Sequence, residues 1–221
     1  MYNTALSILR EINDTGYIAY IVGGYVRDFI LSIKSNDIDI TTSATPDIIK
    51  SMYEVVEDNS CFGSLKIKKE GYTFEITTFR RELKYNNRFP QIEFTDSLIE
   101  DLKRRDFTIN AICMCDDESI IDLIGGIEDI ENKTIRSIGD ATTKIKEDPL
   151  RILRAIRFMG YLDFTLDKYL KESIEKNKEL VKTLSNKRVH NELSKMNKKS
   201  IDEIKKLGID KYIKEELWKI K

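Results

Sequence analysis

Two carboxylates, Asp37 and Asp39, stand two residues apart in the segment NDIDITT. On a β-strand such residues point to the same side, so the carboxylates would converge while Ile38 and Ile40 face the core. Paired carboxylates repel unless a cation lies between them, and Mg²⁺ is the usual ion for oxygen ligands. Two such ions can activate an attacking oxygen and stabilise a leaving oxygen in an in-line phosphoryl displacement. The simpler alternative is a half-exposed polar strand, which the poor strand propensity of Asp disfavours.

A Gly-Gly pair precedes these carboxylates, in YIVGGYVRD. A strand that ends at Gly23 and Gly24 and leads into a helix would present backbone N–H groups at the helix N-terminus, which suits phosphate. Arg27, one turn into the helix, could reach the same anion through its planar guanidinium. Asp28 is expected to brace the turn or to pair with a basic group. An ordinary tight turn is the alternative for the Gly-Gly pair alone.

A cluster of cations follows in the segment LKRRDFTINAI, where Lys103, Arg104 and Arg105 are adjacent. Adjacent residues on a helix point in different directions, so one or two of these cations are expected to enter a single site. A basic surface patch is the alternative explanation of the cluster.

The segment EDPLRILRAIRF combines an acid with three evenly spaced arginines. Pro149 fits the first turn of a helix, and Asp148 lies near its N-cap. Arg151, Arg154 and Arg157 recur at every third residue and lie along one stripe of that helix. Like charges placed in this way repel each other unless they face carboxylates or a polyanion, such as a triphosphate or an RNA backbone.

These candidates must be positioned by short strands and amphipathic helices before residue 140, after which the periodicity is helical to the end. The pattern predicts an α+β head followed by a helical region. Thr45 is the expected N-cap of one helix, with Pro46 at its first position. Two apolar helical faces are expected, one from Ala5, Ile8, Leu9 and Ile12 and one from Val26, Phe29, Ile30 and Ile33. The expected strands are YIAYIVGG, NDIDITTS, LKIKK, YTFEITTF and SIIDLIGG.

Composition restricts the class of protein. The chain has 221 residues, of which 41% are hydrophobic, enough for one large domain or two small ones. No apolar run approaches the roughly 20 residues that a membrane span requires, and the N-terminus has no secretory pattern. Three cysteines argue against a disulfide framework, and Cys113-x-Cys115 lacks a second ligand pair for zinc. An intracellular, cytoplasmic protein that does not engage a membrane is expected.

Charge is unevenly distributed along the chain, although the net charge is −1. Residues 165–221 contain 16 Lys or Arg and 10 Asp or Glu, while residues 1–164 contain 21 and 28. A basic C-terminal part beside an acidic N-terminal part suits a polyanion that lies across one end. A solvated helical surface in a Lys-rich protein is the alternative, and charge alone favours it.

Several of these segments together resemble one family. GGYVRD, DIDITTSATP, DLKRRDFTINAI, DLIGG, EDPLRILRAIRF and LSNKRVHNELSKM occur in the order and approximate spacing of class II tRNA nucleotidyltransferases and bacterial poly(A) polymerases. The resemblance covers roughly residues 15–197. DIDIT also satisfies Asp-x-Asp-x-Thr of the haloacid-dehalogenase-like phosphatases, but that reading rests on five residues and follows a polar, loop-like segment.

The resemblance implies a polymerase-β-like head with a small mixed sheet over residues 1–140 and an all-helical neck over residues 141–221. It implies attack of a tRNA 3′-hydroxyl on the α-phosphorus of CTP or ATP, with release of pyrophosphate. Asp148 and Arg151 match the pair that reads the Watson–Crick edge of the base. Carried over motif by motif, the site residues are Asp37 and Asp39 for catalysis and Mg²⁺ in a two-metal site, and Gly24, Arg27, Arg105, Asp148, Arg151, Arg154 and Arg157 for the nucleotide.

Several alternatives stay open at this point. Residues 80–91 correspond to the family's flexible loop, which helps the switch from C to A addition, so CCA addition is favoured over CC-only, A-only or poly(A) addition. An inactive RNA-binding relative is the alternative from another class. Glu75 could be a third carboxylate if its strand neighbours that of Asp39. The family's usual chain continues into domains that grip tRNA, whereas this sequence ends at Lys221, which suggests a minimal enzyme, a part of a longer one or a homo-oligomer.

Overall fold

The computed structural model describes residues 1–86 and 89–218. The chain forms two compact units. The first unit comprises Met1–Arg105 and Ile109–Ile127, and the second comprises Asp106–Thr108 and Glu128–Lys221. These units are defined by packing, so the functional division expected at residue 140 stays a prediction.

A mixed sheet organises the first unit. The strands of this unit are β1 (Ala19–Val22), β2 (Asp39–Thr42), β3 (Glu54–Asn59), β4 (Ser64–Lys69), β5 (Tyr72–Thr78), β6 (Arg80–Asn86), β7 (Phe89–Phe94), β8 (Cys113–Met114) and β9 (Ile120–Ile121). Seven of them form the sheet, in the order β3-β4-β5-β2-β1-β8-β9. Strands β2 and β5 are parallel, and the other neighbouring pairs are antiparallel. Strands β6 and β7 form a separate antiparallel hairpin.

Helices flank this sheet, and together they confirm the α+β class. The helices are α1 (Tyr2–Asp14), α2 (Gly24–Ile30), α3 (Pro46–Met52), α4 (Leu98–Lys103) and α5 (Gly126–Glu131), the last of which runs from the first unit into the second. The predicted apolar face of α1 is confirmed, because Ala5, Ile8, Leu9 and Ile12 are fully buried. Thr45 is the N-cap of α3 and Pro46 its first residue, as predicted.

The predicted apolar face of α2 is wrong. Val26 is buried, but Phe29 is 47% exposed, and the other buried residues of the helix are Arg27 and Asp28. The helix ends at Ile30, so Ile33 lies outside it. Arg27 and Asp28 form an ion pair, which offsets the cost of burying both charges. The periodicity of apolar residues gives no sign of such a pair.

The second unit is built around helix α7 (Leu150–Leu162), which is largely buried. It is accompanied by α6 (Ala141–Glu147), α8 (Lys168–Asn177), α9 (Asn186–Leu193) and α10 (Lys198–Lys206). The chain after residue 140 is helical apart from β11 (Thr165–Leu166), which pairs in parallel with β10 (Thr134–Ile135). Gly160 allows α10 to approach α7, since a Cβ there would lie 2.0 Å from Ser200 Oγ. No helix among residues 1–86 and 89–218 is long and apolar enough to cross a membrane.

Candidate active site

One cross-strand row places two carboxylates side by side in the sheet of the first unit. Asp39 of β2 stands opposite Glu75 of β5 and, on its other side, opposite Val22 of β1. Residues directly opposite each other in a sheet share a face and bring their Cβ atoms to about 5 Å. The strand of Glu75 therefore neighbours the strand of Asp39. This is the arrangement in which the sequence allowed Glu75 to be a third carboxylate of the site.

Asp37 lies just before β2, outside the strand. The predicted alternation holds, because Ile38 and Ile40 are buried while Asp37 is exposed and Asp39 is half-buried. Among residues 1–86 and 89–218, no three His, Cys, Asp or Glu side chains are grouped as metal ligands. Metal binding by Asp37 and Asp39 therefore stays a prediction.

Lys66 extends the row on the far side of Glu75. Its ammonium group lies 2.6 Å from Glu57 Oε2. The Glu57 carboxylate, which accepts its hydrogen bond, raises the pKa of Lys66, and the charges of Glu75 and Asp37 add to the increase. Asp37 and Glu75 thus act electrostatically on the same cation. Ser64 Oγ donates to Glu75 Oε1 over 2.7 Å and orients that carboxylate.

The Gly-Gly turn lies at the end of β1, next to this row. Gly23 has a φ of +85°, a backbone conformation that glycine adopts without steric cost, and α2 begins at Gly24. A Cβ on Gly24 would lie 3.7 Å from Arg27 Nη2, and a Cβ on Gly23 would lie 3.8 Å from Arg105 Nη1. The turn is therefore close to two of the cations that the sequence assigns to nucleotide binding.

Arg27 is held rigidly beneath this turn and is only 4% exposed. Its Nε and Nη2 donate to Asp28 Oδ1 over 2.9 and 2.7 Å. Its Nη1 donates to Asn110 Oδ1 over 2.6 Å. Asp28 thus pairs with a basic group, as predicted. Any phosphate bound at the turn meets a guanidinium whose position these bonds have already set.

A polar cavity of about 330 Å³ opens on the same face of the sheet. It has an acidic part, Asp39 and Glu75, and a basic part, Arg80, Arg104 and Arg105. Lys103 instead pairs with Glu100 at the surface, 2.7 Å away. Two of the three adjacent cations therefore share one cavity, as predicted. The remaining lining residues are Val22, Ile40, Asn59, Phe62, Ser64 and Thr77.

Asp101 positions these arginines, and sequence reasoning missed it. It is fully buried, and its oxygens lie 2.8 Å from Arg104 Nε and 3.0 Å from Arg105 Nη2. Thr41 Oγ1 donates to it over 3.1 Å. Burial alone would raise the pKa of Asp101, but Arg104 and Arg105 hold it below the usual value. The available signal was spacing, since Asp101 stands three and four residues before the two arginines, which follow the end of α4.

Replacing Asp101 with asparagine is expected to lower the free energy of unfolding by about 2–4 kcal/mol, because it leaves two guanidinium groups without their buried counter-charge. The folded-state pKa of Asp101 is depressed, so its contribution is present above the unfolded value of about 3.9 and is lost as the pH falls below it. Urea unfolding at pH 7 and at pH 3 measures both effects.

The matched control for Asp101→Asn is Glu100→Gln, which removes a half-buried carboxylate from the preceding position. It is expected to leave stability nearly unchanged. Equal stability of Asp101→Asn and wild type at pH 7 would contradict the anchoring role. The anchoring role would also be contradicted if the stability difference between Asp101→Asn and wild type were as large at pH 3 as at pH 7.

In the second unit, the three arginines of the stripe on α7 each lie beside a carboxylate. Carboxylates were one of the two kinds of partner that the sequence allowed, the other being a polyanion. Arg151 Nη1 lies 3.2 Å from Glu147 Oε2 and donates to the Lys144 carbonyl over 3.1 Å. The other two pairs are Arg154 with Asp106, 2.6 Å apart, and Arg157 with Glu192, 2.7 Å apart. The Arg157 guanidinium also stacks on Phe158, 4.3 Å from the ring centroid.

Asp148 directly precedes Pro149, the N-cap of α7, as predicted, and its Oδ1 accepts from the Leu150 amide over 3.1 Å. Arg188 of α9 contacts both carboxylate oxygens, over 3.0 and 2.7 Å. Arg188 and Glu192 were not assigned to the site from the sequence. They stand one turn apart on α9, so one helix face supplies a partner to Asp148 and to Arg157. The signal was an acid four residues after an arginine in a basic helix.

The comparison with known proteins decides the family. A family described as "Poly A polymerase head domain" matches residues 19–136, more than half of the chain. The chain belongs to this family. The resemblance stated from the motifs is confirmed, and so is the polymerase-β-like nucleotidyltransferase class of the head.

Relatives in this family carry a more specific name. The chain is 44% identical over 199 residues to the CCA-adding enzyme of Lactobacillus johnsonii, covering 89% of this chain and 50% of that one. It is 39% identical over 221 residues to the CCA-adding enzyme of Ligilactobacillus salivarius, covering 99% and 54%. The chain thus spans about half the length of the curated relatives it matches.

Solved structures give the same picture. The structure of the Bacillus stearothermophilus CCA-adding enzyme in complex with CTP is similar with a TM-score of 0.88 and 35% identity, over 95% of this chain and 53% of that one. A tRNA nucleotidyltransferase complexed with a primer tRNA and an incoming ATP analog is similar with a TM-score of 0.76 and 30% identity, over 93% and 62%.

Proposed function

We propose that this chain is the nucleotidyltransferase part of an enzyme that adds C and A to tRNA 3′ ends from CTP and ATP. The observation that carries the proposal is the cavity of the first unit, where Asp39 and Glu75 face Arg104 and Arg105 beside the Gly23-Gly24 turn. Carboxylates and arginines that line one polar cavity suit a metal-bound polyphosphate. The relatives named CCA-adding enzymes support the choice of substrates.

In the reaction, the terminal 3′-hydroxyl oxygen of the RNA attacks the α-phosphorus of the nucleotide. A new O–P bond forms, the hydroxyl proton leaves to solvent, and the bond between the α-phosphorus and the oxygen bridging to the β-phosphate breaks. Pyrophosphate departs with the bonding electrons. Gly24 and Arg27 hold phosphate oxygens at the turn, and Arg105 neutralises charge that builds up on the leaving group.

Asp37 and Asp39 are the proposed ligands of Mg²⁺, in a two-metal site to which Glu75 is adjacent. The donors fit a hard cation, since all are carboxylate oxygens and Asp39 and Glu75 are neighbours in one row. When bound, Mg²⁺ supplies positive charge that lowers the cost of bringing an oxygen nucleophile to a phosphate.

Asp148 and Arg151 are the proposed readers of the base. A carboxylate accepts from the exocyclic amine of cytosine or adenine, and a guanidinium donates to ring nitrogen or carbonyl oxygen. Uracil and guanine present the opposite donor pattern and are rejected. Arg188 fixes both oxygens of Asp148 and so sets the direction in which the acceptor points. Arg154 and Arg157 are proposed as further nucleotide contacts.

Residues 1–140 are proposed as the catalytic head and residues 141–221 as a neck whose basic surface faces the tRNA. Maturation of tRNA 3′ ends makes the cytoplasm the proposed location. Part of the loop assigned to the switch from C to A addition, Asn87 and Arg88, lies outside the described residues.

Product length tests the proposal. Purified chain is incubated with Mg²⁺, a tRNA that lacks its CCA end, and labelled CTP and ATP. The expected product is extended by C, C and A in that order and then stops, and a chelator is expected to abolish extension. Absence of extension on every primer would refute the proposal.

The same assay separates the alternatives. Poly(A) addition yields a long ladder, CC-only addition stops before A, and A-only addition requires a primer that already ends in CC. A phosphatase releases inorganic phosphate without a primer. An inactive RNA-binding relative would retain tRNA binding without extension.

A further inference from the structure

Arg80, the first residue of β6, lines the cavity of the first unit beside Arg104 and Arg105. Its main-chain N–H donates to Asp101 Oδ1 over 3.3 Å, and its Nη1 donates to the Phe62 carbonyl oxygen. Both ends of the residue are therefore tied to the cavity wall. Its Nε is buried and has no hydrogen-bond partner among the residues that the structure describes. The sequence alone assigned this residue only to the flexible loop.

Arg80 forms no salt bridge with any residue that the structure describes. Asp101, one of the two acids that act on it electrostatically, is already held by Arg104 and Arg105, and Glu82 is the other. Burial, together with the nearby charge of Arg104, lowers the pKa of Arg80 to about 10. A largely buried cation that has no salt bridge is costly, and a bound anion that accepts from Arg80 would offset that cost.

The distance from the carboxylates indicates which anion fits. Asp39 and Glu75 form one row of the sheet, and Thr41 and Thr77 form the next row on the same face. Thr41 donates to Asp101, the anchor of the arginines. Two residues along a strand correspond to roughly 7 Å. A chain of linked phosphates is long enough to contact the carboxylate row and the arginines of the same cavity together.

We propose that Arg80 binds the two terminal phosphates of the incoming nucleoside triphosphate and holds the pyrophosphate once it has formed. This inference rests on the proposed function, since it names a further residue for the same reaction. The α-phosphate lies at the Asp39 end of the cavity and the terminal phosphates lie at the arginine end. Arg80 therefore distinguishes a triphosphate from a monophosphate and makes no contact with the base.

Calorimetric titration of the wild-type chain, Arg80→Gln and Arg81→Gln with CTP, CMP and inorganic pyrophosphate, all with Mg²⁺, tests the inference. Arg81 is the matched control, because it is the next residue of β6 and pairs with Glu93 at the surface, both about half exposed. Arg80→Gln is expected to weaken CTP and pyrophosphate binding by about tenfold to a hundredfold, the effect of one charged hydrogen bond. CMP binding is expected to stay unchanged, and Arg81→Gln is expected to match wild type.

Arg80→Lys provides a second variant if loss of the Phe62 contact prevents Arg80→Gln from folding. Lysine keeps the charge but not the planar fork, so intermediate pyrophosphate affinity is expected. Equal losses for CTP and CMP, or wild-type affinity for pyrophosphate in both variants, would overturn the inference. Pyrophosphate binding that depends on Arg80, without any preference for CTP and ATP over GTP, would overturn the proposed function and leave this inference standing.

Discussion

Replacing Asp39 with alanine is expected to reduce nucleotide addition at least about a thousandfold, because removal of a metal ligand forfeits several kcal/mol of transition-state stabilisation. The fold is expected to survive. Asp39 stands directly opposite Glu75, and like charges so placed destabilise a sheet. The melting temperature of Asp39→Ala is therefore expected to equal or exceed that of wild type. Single-turnover extension of a truncated tRNA measures the rate, and thermal unfolding measures the stability.

Asp47→Ala is the control for this variant. Asp47 is an exposed acid in the first turn of α3 and does not belong to the described lining of the cavity. Its removal is expected to leave the rate unchanged. Extension that survives the double variant Asp37→Ala and Asp39→Ala would contradict the metal-binding role of this pair. A rate loss accompanied by a large fall in melting temperature would contradict the view that Asp39 serves catalysis at the expense of stability.

Replacing Asp148 with alanine is expected to reduce the preference for CTP over UTP by at least about a hundredfold, because it removes the acceptor for the exocyclic amine. The effect falls on selection of the base, so pyrophosphate affinity is expected to stay at the wild-type value. Arg188→Ala leaves the carboxylate in place but frees its orientation, so a smaller loss of preference is expected. Titrations with CTP, UTP, ATP and GTP measure the preference for each variant.

Asp202→Ala is the control, since Asp202 is an exposed acid on α10 of the same unit. It is expected to keep the wild-type preference. Equal affinity of the wild-type chain for CTP and GTP would remove the base-reading role of Asp148 and Arg151. If Asp148→Ala kept the wild-type preference for CTP over UTP, the base-reading role of Asp148 alone would be contradicted.

The sequence was sufficient for those features that depend on neighbours along the chain. The alternation around Asp37 and Asp39, the apolar face of α1 and the cap of α3 follow from periodicity and propensity, and the structure shows each of them. The family was also readable, because six ordered motifs carry far more information than any one of them. Strands β3, β6 and β7 were not predicted. Strands β3 and β6 are rich in charged residues, and β6 and the start of β7 lie in the segment that was assigned to a flexible loop.

The partners of the charged residues depend on pairs that are distant in sequence, and only the tertiary structure decides them. Arg27 meets Asn110 across 83 positions, and Arg188 meets Asp148 across 40. Composition cannot show which carboxylate neutralises which arginine, because a cation accepts any acid that the fold brings within reach. By itself, the sequence determined which residue types could perform phosphoryl transfer and in what order they occur. The fold determined which arginines are paired with acids and that, among the described residues, Arg80 lines the cavity without a salt bridge, because burial and proximity set the energy of a charge.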